Sequence, residues 1–270
     1  MTTMTTMTTA TTMTTMTGDA MHDQAASEPP LLVVQTGRVR RLTLNRPDKR
    51  NALNFALTQA LVQALAEADA DDGVGCILLS GAGRGFCAGA DLSEFKTLTP
   101  ANQPLVEQRA QLTMQLHHGF PQLRKPVVAA VNGAAMGGGA GIALACDLVL
   151  MAESATLGFP EVRHGIVAAI VMANLVRQLG RKAAFELVAL GQPIGASEAL
   201  RLGMINRVCA DDQLLPQAEA MAAELAAMPP QAMTATKQLF HEVADLALAP
   251  ALERGRAMNA RMRGFARPQG

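Results

Sequence analysis

Two glycine-rich segments hold the residues best placed to do chemistry: Phe86-Cys87-Ala88-Gly89-Ala90-Asp91-Leu92 and Asn132-Gly133-Ala134-Ala135-Met136-Gly137-Gly138-Gly139. Each follows a short apolar run, 76–80 or 127–131, and each leads into a helical pattern, which places both at strand-to-helix turns. At such turns the first backbone N–H groups of the helix lack intrahelical partners and have the positive end of the helix dipole behind them. Two such ends brought together could hold a developing oxyanion, each donor stabilising a transition state by about 3 to 4 kcal/mol. Glycine lets an acyl group approach the backbone closely. Glu161 stands among the apolar residues Phe159, Pro160, Val162 and Ile166. Desolvation there predicts a carboxyl with a raised pKa, suited to proton transfer. His164, three residues on, is either a second acid or a substrate-orienting group, or else an exposed or hydrogen-bonded structural histidine, whereas His117 and His118 are expected to be solvated.

The elements that would position these groups alternate. Segments 31–35 and 39–44 read as a hairpin around Gly37, with period-two alternation in Arg41-Leu42-Thr43-Leu44. Asn54 is a good N-cap for a helix with Leu57, Leu61, Val62 and Leu65 on one face. Strands are predicted at 76–80, 127–131 and 147–151, with helices over 104–123 and 139–146 between and after them. That alternation implies an α/β core with parallel pairing. Beyond Gly165 the pattern is helical apart from a strand over 205–209. A late helical block could pack on the core or on another subunit. The expected organisation is a low-complexity disordered tail over 1–30, where Met-Thr-Thr repeats run, then a core over 31–203 and a helical region over 204–270.

Composition narrows the partners. Of 270 residues 49% are hydrophobic, and 23 Lys plus Arg balance 23 Asp plus Glu, so nothing suggests a global attraction to nucleic acid or to an anionic membrane. The charge is uneven over 38–50, where Arg38, Arg40, Arg41, Arg46, Lys49 and Arg50 face only Asp48. This is either a solvated basic edge or a local anion site for a phosphorylated ligand. Four scattered cysteines without Cys-x-x-Cys spacing point to reduced thiols in a cytoplasmic setting and against a zinc site. No apolar run approaches the roughly 18 residues of a membrane span.

With these residues in view, the chain resembles the crotonase family, the enoyl-CoA hydratase and isomerase superfamily, from about residue 31 to the C-terminus. The carriers are Arg46-Pro47 with Asn51-Ala52-Leu53-Asn54, the two glycine segments, Cys146-Asp147-Leu148, and Phe159-Pro160-Glu161-Val162 followed by Gly165-Ile166. Five segments in the right order make the resemblance strong. It implies a crotonase-like spiral of ββα repeats with a C-terminal helical region that forms trimers or hexamers, and acyl-CoA thioesters as substrates, the CoA being part of the substrate rather than a separate cofactor. It implies an oxyanion hole made by Ala90 and Gly138. It places Ala88, Gly89, Asp91 and Leu92 against adenine and pantetheine, the segment with Arg46, Lys49, Asn51 and Ala52 near the CoA phosphates, and Lys237 with Phe240 over the nucleotide. Met136, Gly137, Gly141 and His164 would line the substrate pocket, and the stretch with Leu112, Met114 and Leu116 either lines the acyl tail or is a core-packing stripe.

Hydratases of this family use two glutamates. The second matches Glu161; the first falls at Gly141, flanked by Ala140 and Ile142, where no carboxylate is available. Adding water needs one proton removed from water and another delivered to carbon, whereas a double-bond shift needs one base that moves a proton from C2 to C4. The expectation is therefore an enoyl-CoA isomerase with Glu161 as its single acid/base. A hydratase working with one glutamate is the alternative, and a non-catalytic acyl-CoA-binding protein the next. Other classes fit poorly. Gly83-Arg84-Gly85-Phe86-Cys87-Ala88 matches G-x-G-x-x-A but lacks a ribose-binding acid at the end of a following strand. No Gly-x-Ser-x-Gly elbow or His-Glu-x-x-His pair occurs.

Overall fold

A computed structural model describes Met1 and residues 28–265. The Met-Thr-rich segment read as a disordered tail lies almost wholly outside the described residues. Strands β1 (Leu31–Thr36) and β2 (Val39–Leu44) pair antiparallel around Gly37, whose φ of 56° suits glycine. Along β2 the expected alternation holds at its end, with Leu42 and Leu44 fully buried and Thr43 between them half-buried. Helix α1 (Phe55–Ala70) starts where Asn54 caps it, its side-chain oxygen accepting from the Leu57 N–H at 2.9 Å. The helix buries Leu57, Leu61, Leu65 and Ala68.

Three strand–strand–helix units follow: β3 (Cys76–Gly81), β4 (Gly85–Cys87) and α2 (Gln103–Gly119); β5 (Val127–Val131), β6 (Ala134–Met136) and α3 (Gly138–Ala145); β7 (Leu148–Ala152), β8 (Thr156–Gly158) and α4 (Ala169–Leu179). The first strand of each unit joins a six-stranded sheet ordered β1-β2-β3-β5-β7-β10, and the second joins a four-stranded sheet ordered β4-β6-β8-β9. Here β9 is Ile194–Gly195 and β10 is Arg207–Cys209. Pairing is parallel from β2 through β10 and along β4-β6-β8. The α/β spiral of ββα units thus stands. The reading that each glycine segment is a direct strand-to-helix turn needs correction, because a three-residue strand intervenes both times. Gly81 and Gly133 permit the sharp folds: a Cβ on the former would strike the Gly85 carbonyl, and one on the latter the Arg84 carbonyl. After the first segment the chain enters a 3-10 helix (Leu92–Lys96), and α2 begins only at Gln103.

The central strands are buried on both faces, as their continuous apolar runs require. Helix α5 (Arg181–Leu190) and the short α6 (Ala196–Arg201) continue the chain after α4. Beyond residue 203, β10 extends the large sheet and α7 (Leu214–Ala227) lays Ala218, Ala222 and Ala226 against it. Gly75 has no room for a side chain, since a Cβ would lie 2.7 Å from the Ala226 carbonyl oxygen. Helices α8 (Pro230–Ala244) and α9 (Leu248–Arg261) stand further out. Large apolar side chains are exposed on α5, α8 and α9, among them Phe185, Phe240, Leu248 and Leu252. Among the described residues no helix is long and apolar enough to cross a membrane.

Candidate active site

The spiral brings the two glycine loops into contact. Leu53 is the bracket: its N–H donates to the Gly89 carbonyl at 2.7 Å and its carbonyl accepts from Asp91 N–H at 3.2 Å. A Cβ built on Gly138 would sit 3.5 Å from Leu53 Cδ1, 3.9 Å from Gly89 Cα and 4.0 Å from Ala90 N. Ala90 and Gly138 are therefore neighbours across the gap between loops. Among the described residues neither of their N–H groups donates to a protein acceptor. Gly138 is also the first residue of α3, so the helix dipole adds positive potential there. Gly139 holds α3 against the first loop, with no space for a Cβ before the Cys87 carbonyl.

Glu161 reaches this point from the third unit. It sits in a 3-10 helix (Pro160–His164) after β8, and a Cβ on Gly137 would lie 2.6 Å from Glu161 Oε1. The carboxyl thus abuts the residue before the Gly138 donor. Its Oε2 is buried without a hydrogen-bond partner. Burial pushes the Glu161 carboxyl above the ordinary carboxylate range, against smaller opposing effects from its own N–H and from His164. The arrangement can bind a developing oxyanion at two N–H donors while a protonatable group works on the adjacent carbon.

A further titratable group lies one helical turn along α3. The Gly141 N–H donates to the Gly137 carbonyl at 2.9 Å. A Cβ at Gly141 would overlap Val171 Cγ1 of α4 and lie 2.6 Å from His117 Cε1 of α2. His117 is 5% exposed, both ring nitrogens lack partners, and burial pushes its pKa down to about 4. The expectation that His117 is solvated is overturned; His118, beside it, is exposed as expected.

Comparison with known proteins agrees with this geometry. The family model described as enoyl-CoA hydratase/isomerase matches residues 35–264. The chain belongs to the enoyl-CoA hydratase/isomerase family. A relative from Thermus thermophilus, itself provisionally named an enoyl-CoA hydratase, is 42% identical over 210 residues, 78% of this chain and 83% of that one. The 2,3-dehydroadipyl-CoA hydratase of Escherichia coli is 37% identical over 229 residues, 84% of this chain and 88% of the relative. Among solved structures, an enoyl-CoA hydratase of Mycobacterium smegmatis superposes with a TM-score of 0.84 at 32% identity, covering 88% of this chain and 92% of its own. A monofunctional enoyl-CoA isomerase of the same organism gives 0.71 at 28%, covering 83% and 99%. Chains resembling this member of the family thus carry both activity names.

Several residues that the family resemblance assigns to ligand make contacts within the scaffold. Asn51 is fully buried at a φ of 56°; its Oδ1 accepts from Arg46 N–H at 2.8 Å and its Nδ2 donates to the carbonyls of Ala82 and Gly85 at 2.9 and 2.8 Å. Its amide locks the β3–β4 turn, with both Nδ2 donors used. Ala52 is buried beside it. Asp91 accepts from Arg46 Nη1 at 2.9 Å and from Ser93 Oγ at 2.6 Å, so that pair tethers the oxyanion loop to the segment after β2. Arg38, Arg40 and Arg41 are also engaged, with the Ala226 carbonyl, Asp71 and Glu219. Of the basic segment, Lys49 and Arg50 stay exposed, next to exposed Ala88, whose N–H donates to the Arg50 carbonyl at 2.9 Å. Leu92 and His164 are exposed as well, Gly89 is buried, and Met136 is half-buried.

Lys237 stands away from the glycine loops of its own chain. Its amine is buried, 2.6 Å from Asp147 Oδ2 and 3.0 Å from the Lys125 carbonyl oxygen, at the N-terminal ends of β5 and β7. The glycine loops follow the C-terminal ends of their strands, so a strand length of about 16 Å separates Lys237 from the site. Phe240 is exposed on the same helix. Lys237→Met should lower stability by about 2 kcal/mol in urea denaturation, short of the range for a fully buried pair because Asp147 retains 19% exposure. The kcat should not change.

Proposed function

We propose that the protein acts on an enoyl-CoA thioester through an enolate, with Glu161 exchanging the proton at C2. The observation that carries this reading is the Glu161 carboxyl against Gly137, directly beside the unpartnered Gly138 and Ala90 donors. A thioester carbonyl seated on those donors would place its α-carbon next to the carboxyl. As the C2 proton leaves or arrives, negative charge on the carbonyl oxygen strengthens both hydrogen bonds, which is transition-state stabilisation rather than uniform binding. Exposed Lys49 and Arg50 beside Ala88 suit the anionic end of CoA. A homotrimer or a pair of trimers would account for the exposed apolar side chains on α5, α8 and α9.

With Glu161 as the only group moving protons, the outcome would be a shift of the double bond. Hydration is a second reading, favoured by the buried imidazole of His117 beside Gly141. The test is incubation with a 2-enoyl-CoA and, separately, a 3-enoyl-CoA, with chromatography to resolve isomers and mass spectrometry to read the products. Interconversion without mass change supports isomerisation; gain of one water on the 2-enoyl thioester supports hydration; no change in either sinks the enzymatic reading.

A further inference from the structure

We propose that the imidazole of His117 is the second proton-transfer group of this site, filling the space that a side chain at position 141 would take and acting on the water added at C3. The inference rests on the enolate reading above.

Three observations carry it. A Cβ at Gly141 would lie 2.6 Å from His117 Cε1, so the ring occupies the volume where the family's first glutamate would project. Both ring nitrogens are buried without a partner, and an orphaned buried polar pair calls for a cause beyond packing. The orphaned Glu161 oxygen and the orphaned imidazole flank consecutive turns at the start of α3, joined by the Gly141 N–H to Gly137 carbonyl bond of 2.9 Å. One helical pitch of about 5.4 Å suits two groups working on adjacent carbons.

Burial also sets the protonation states in the sense that hydration needs. It disfavours charge on both groups, raising the Glu161 carboxyl and lowering the imidazole, so each is biased towards the neutral form that the step uses. The elements packed on α2 carry Glu67 and Asp69 on α1 and Arg177 on α4, and α3 has no titratable side chain; burial alone shifts His117. In the step, an O–H bond of water breaks as its oxygen bonds to C3, and the proton goes to a free imidazole nitrogen. The C2=C3 electron pair becomes the thioester enolate, held by the Ala90 and Gly138 N–H groups. The enolate then takes the Glu161 proton at C2. Return of the imidazolium proton to the Glu161 carboxylate restores the starting pair.

His117→Gln keeps bulk and polarity but cannot take a proton. Two rates are read on it: hydration of a 2-enoyl-CoA, and exchange of the C2 protons of a saturated acyl-CoA with D2O at the optimal pH of that exchange, which needs only Glu161 and the two donors. The expected result is a loss of about a hundredfold or more in hydration, with exchange within about threefold of wild type. A merely structural His117 would depress both, which overturns the proposal, as does retained hydration. Wild type supplies an independent check: its hydration rate should fall at acid pH as the imidazole charges, and His117→Gln should lack that limb. Wild type that exchanges C2 protons but adds no water defeats the role of His117 while sparing the enolate reading; wild type that does neither defeats both.

Discussion

Glu161→Gln should lower kcat by about two to four powers of ten while leaving acyl-CoA affinity within about threefold. The amide keeps the shape of the carboxyl against Gly137 but neither takes nor gives a proton at C2. The loss corresponds to about 3 to 5 kcal/mol of barrier, which proton transfer by a positioned group accounts for without disturbance of binding. Stability should move the other way. A carboxyl whose folded pKa is raised destabilises the fold once pH exceeds its unfolded value, because burial opposes the ionisation that the unfolded chain allows. The neutral amide removes that penalty, so Tm at neutral pH should stay level or rise. A fall in kcat with unchanged or higher Tm identifies a functional group held at a cost to the fold. Full activity in the variant, measured with the reactive thioester isomer, would show that another group works at C2.

The contrast between Glu161 and His117 shows what the sequence could carry. Glu161, Ala90 and Gly138, which the structure brings together, were named by the family resemblance, whose motifs are local signals of glycine spacing and a Pro-Glu pair. The strands of the small sheet were not legible: β4, β6 and β8 are three residues each, too short to show a period, and two are set among glycines. The fates of Asn51 and Lys237 were hidden for another reason. The acceptors of their side-chain nitrogens lie 31 to 34 and 90 to 112 residues away, and only the closed spiral brings them together. His117 had a signal that a pairwise reading of His117-His118 obscured. Adjacent helical residues face different directions, and His117 falls three residues before Phe120 and beside Leu116, both buried, so it lies on the inner stripe of α2 while His118 points out. Its chemistry depends on what stands opposite, and Gly141 on α3 offers no side chain in the way.

Gly89→Ala should cost about two to three powers of ten in kcat, the scale of losing one well-placed oxyanion donor. Gly89 has a φ of +86°, and a Cβ there would lie 2.6 Å from the Met136 carbonyl oxygen and 3.3 Å from Gly138 N. Neither neighbour is a flexible side-chain end, so relief must come from the backbone. The two backbones in conflict are those that carry the donors, since Ala90 follows Gly89 and Gly138 lies two residues after Met136. Parting them by even a few tenths of an ångström spoils a geometry that must fit the oxyanion and not the ground-state carbonyl. The variant should therefore bind an enolate mimic much more weakly than wild type but a saturated acyl-CoA almost as well. Strain at the positive φ adds a stability loss of about 1 to 3 kcal/mol. Gly85→Ala is the matched control: it lies on β4 just before the same segment at an ordinary φ, and its Cβ would meet nothing nearer than the Ala134 carbonyl oxygen at 4.0 Å. If Gly89→Ala kept kcat within about threefold of that control, Ala90 and Gly138 would not be the oxyanion donors. If only Gly89→Ala loses turnover, the contact between the two glycine loops is what makes this fold a catalyst.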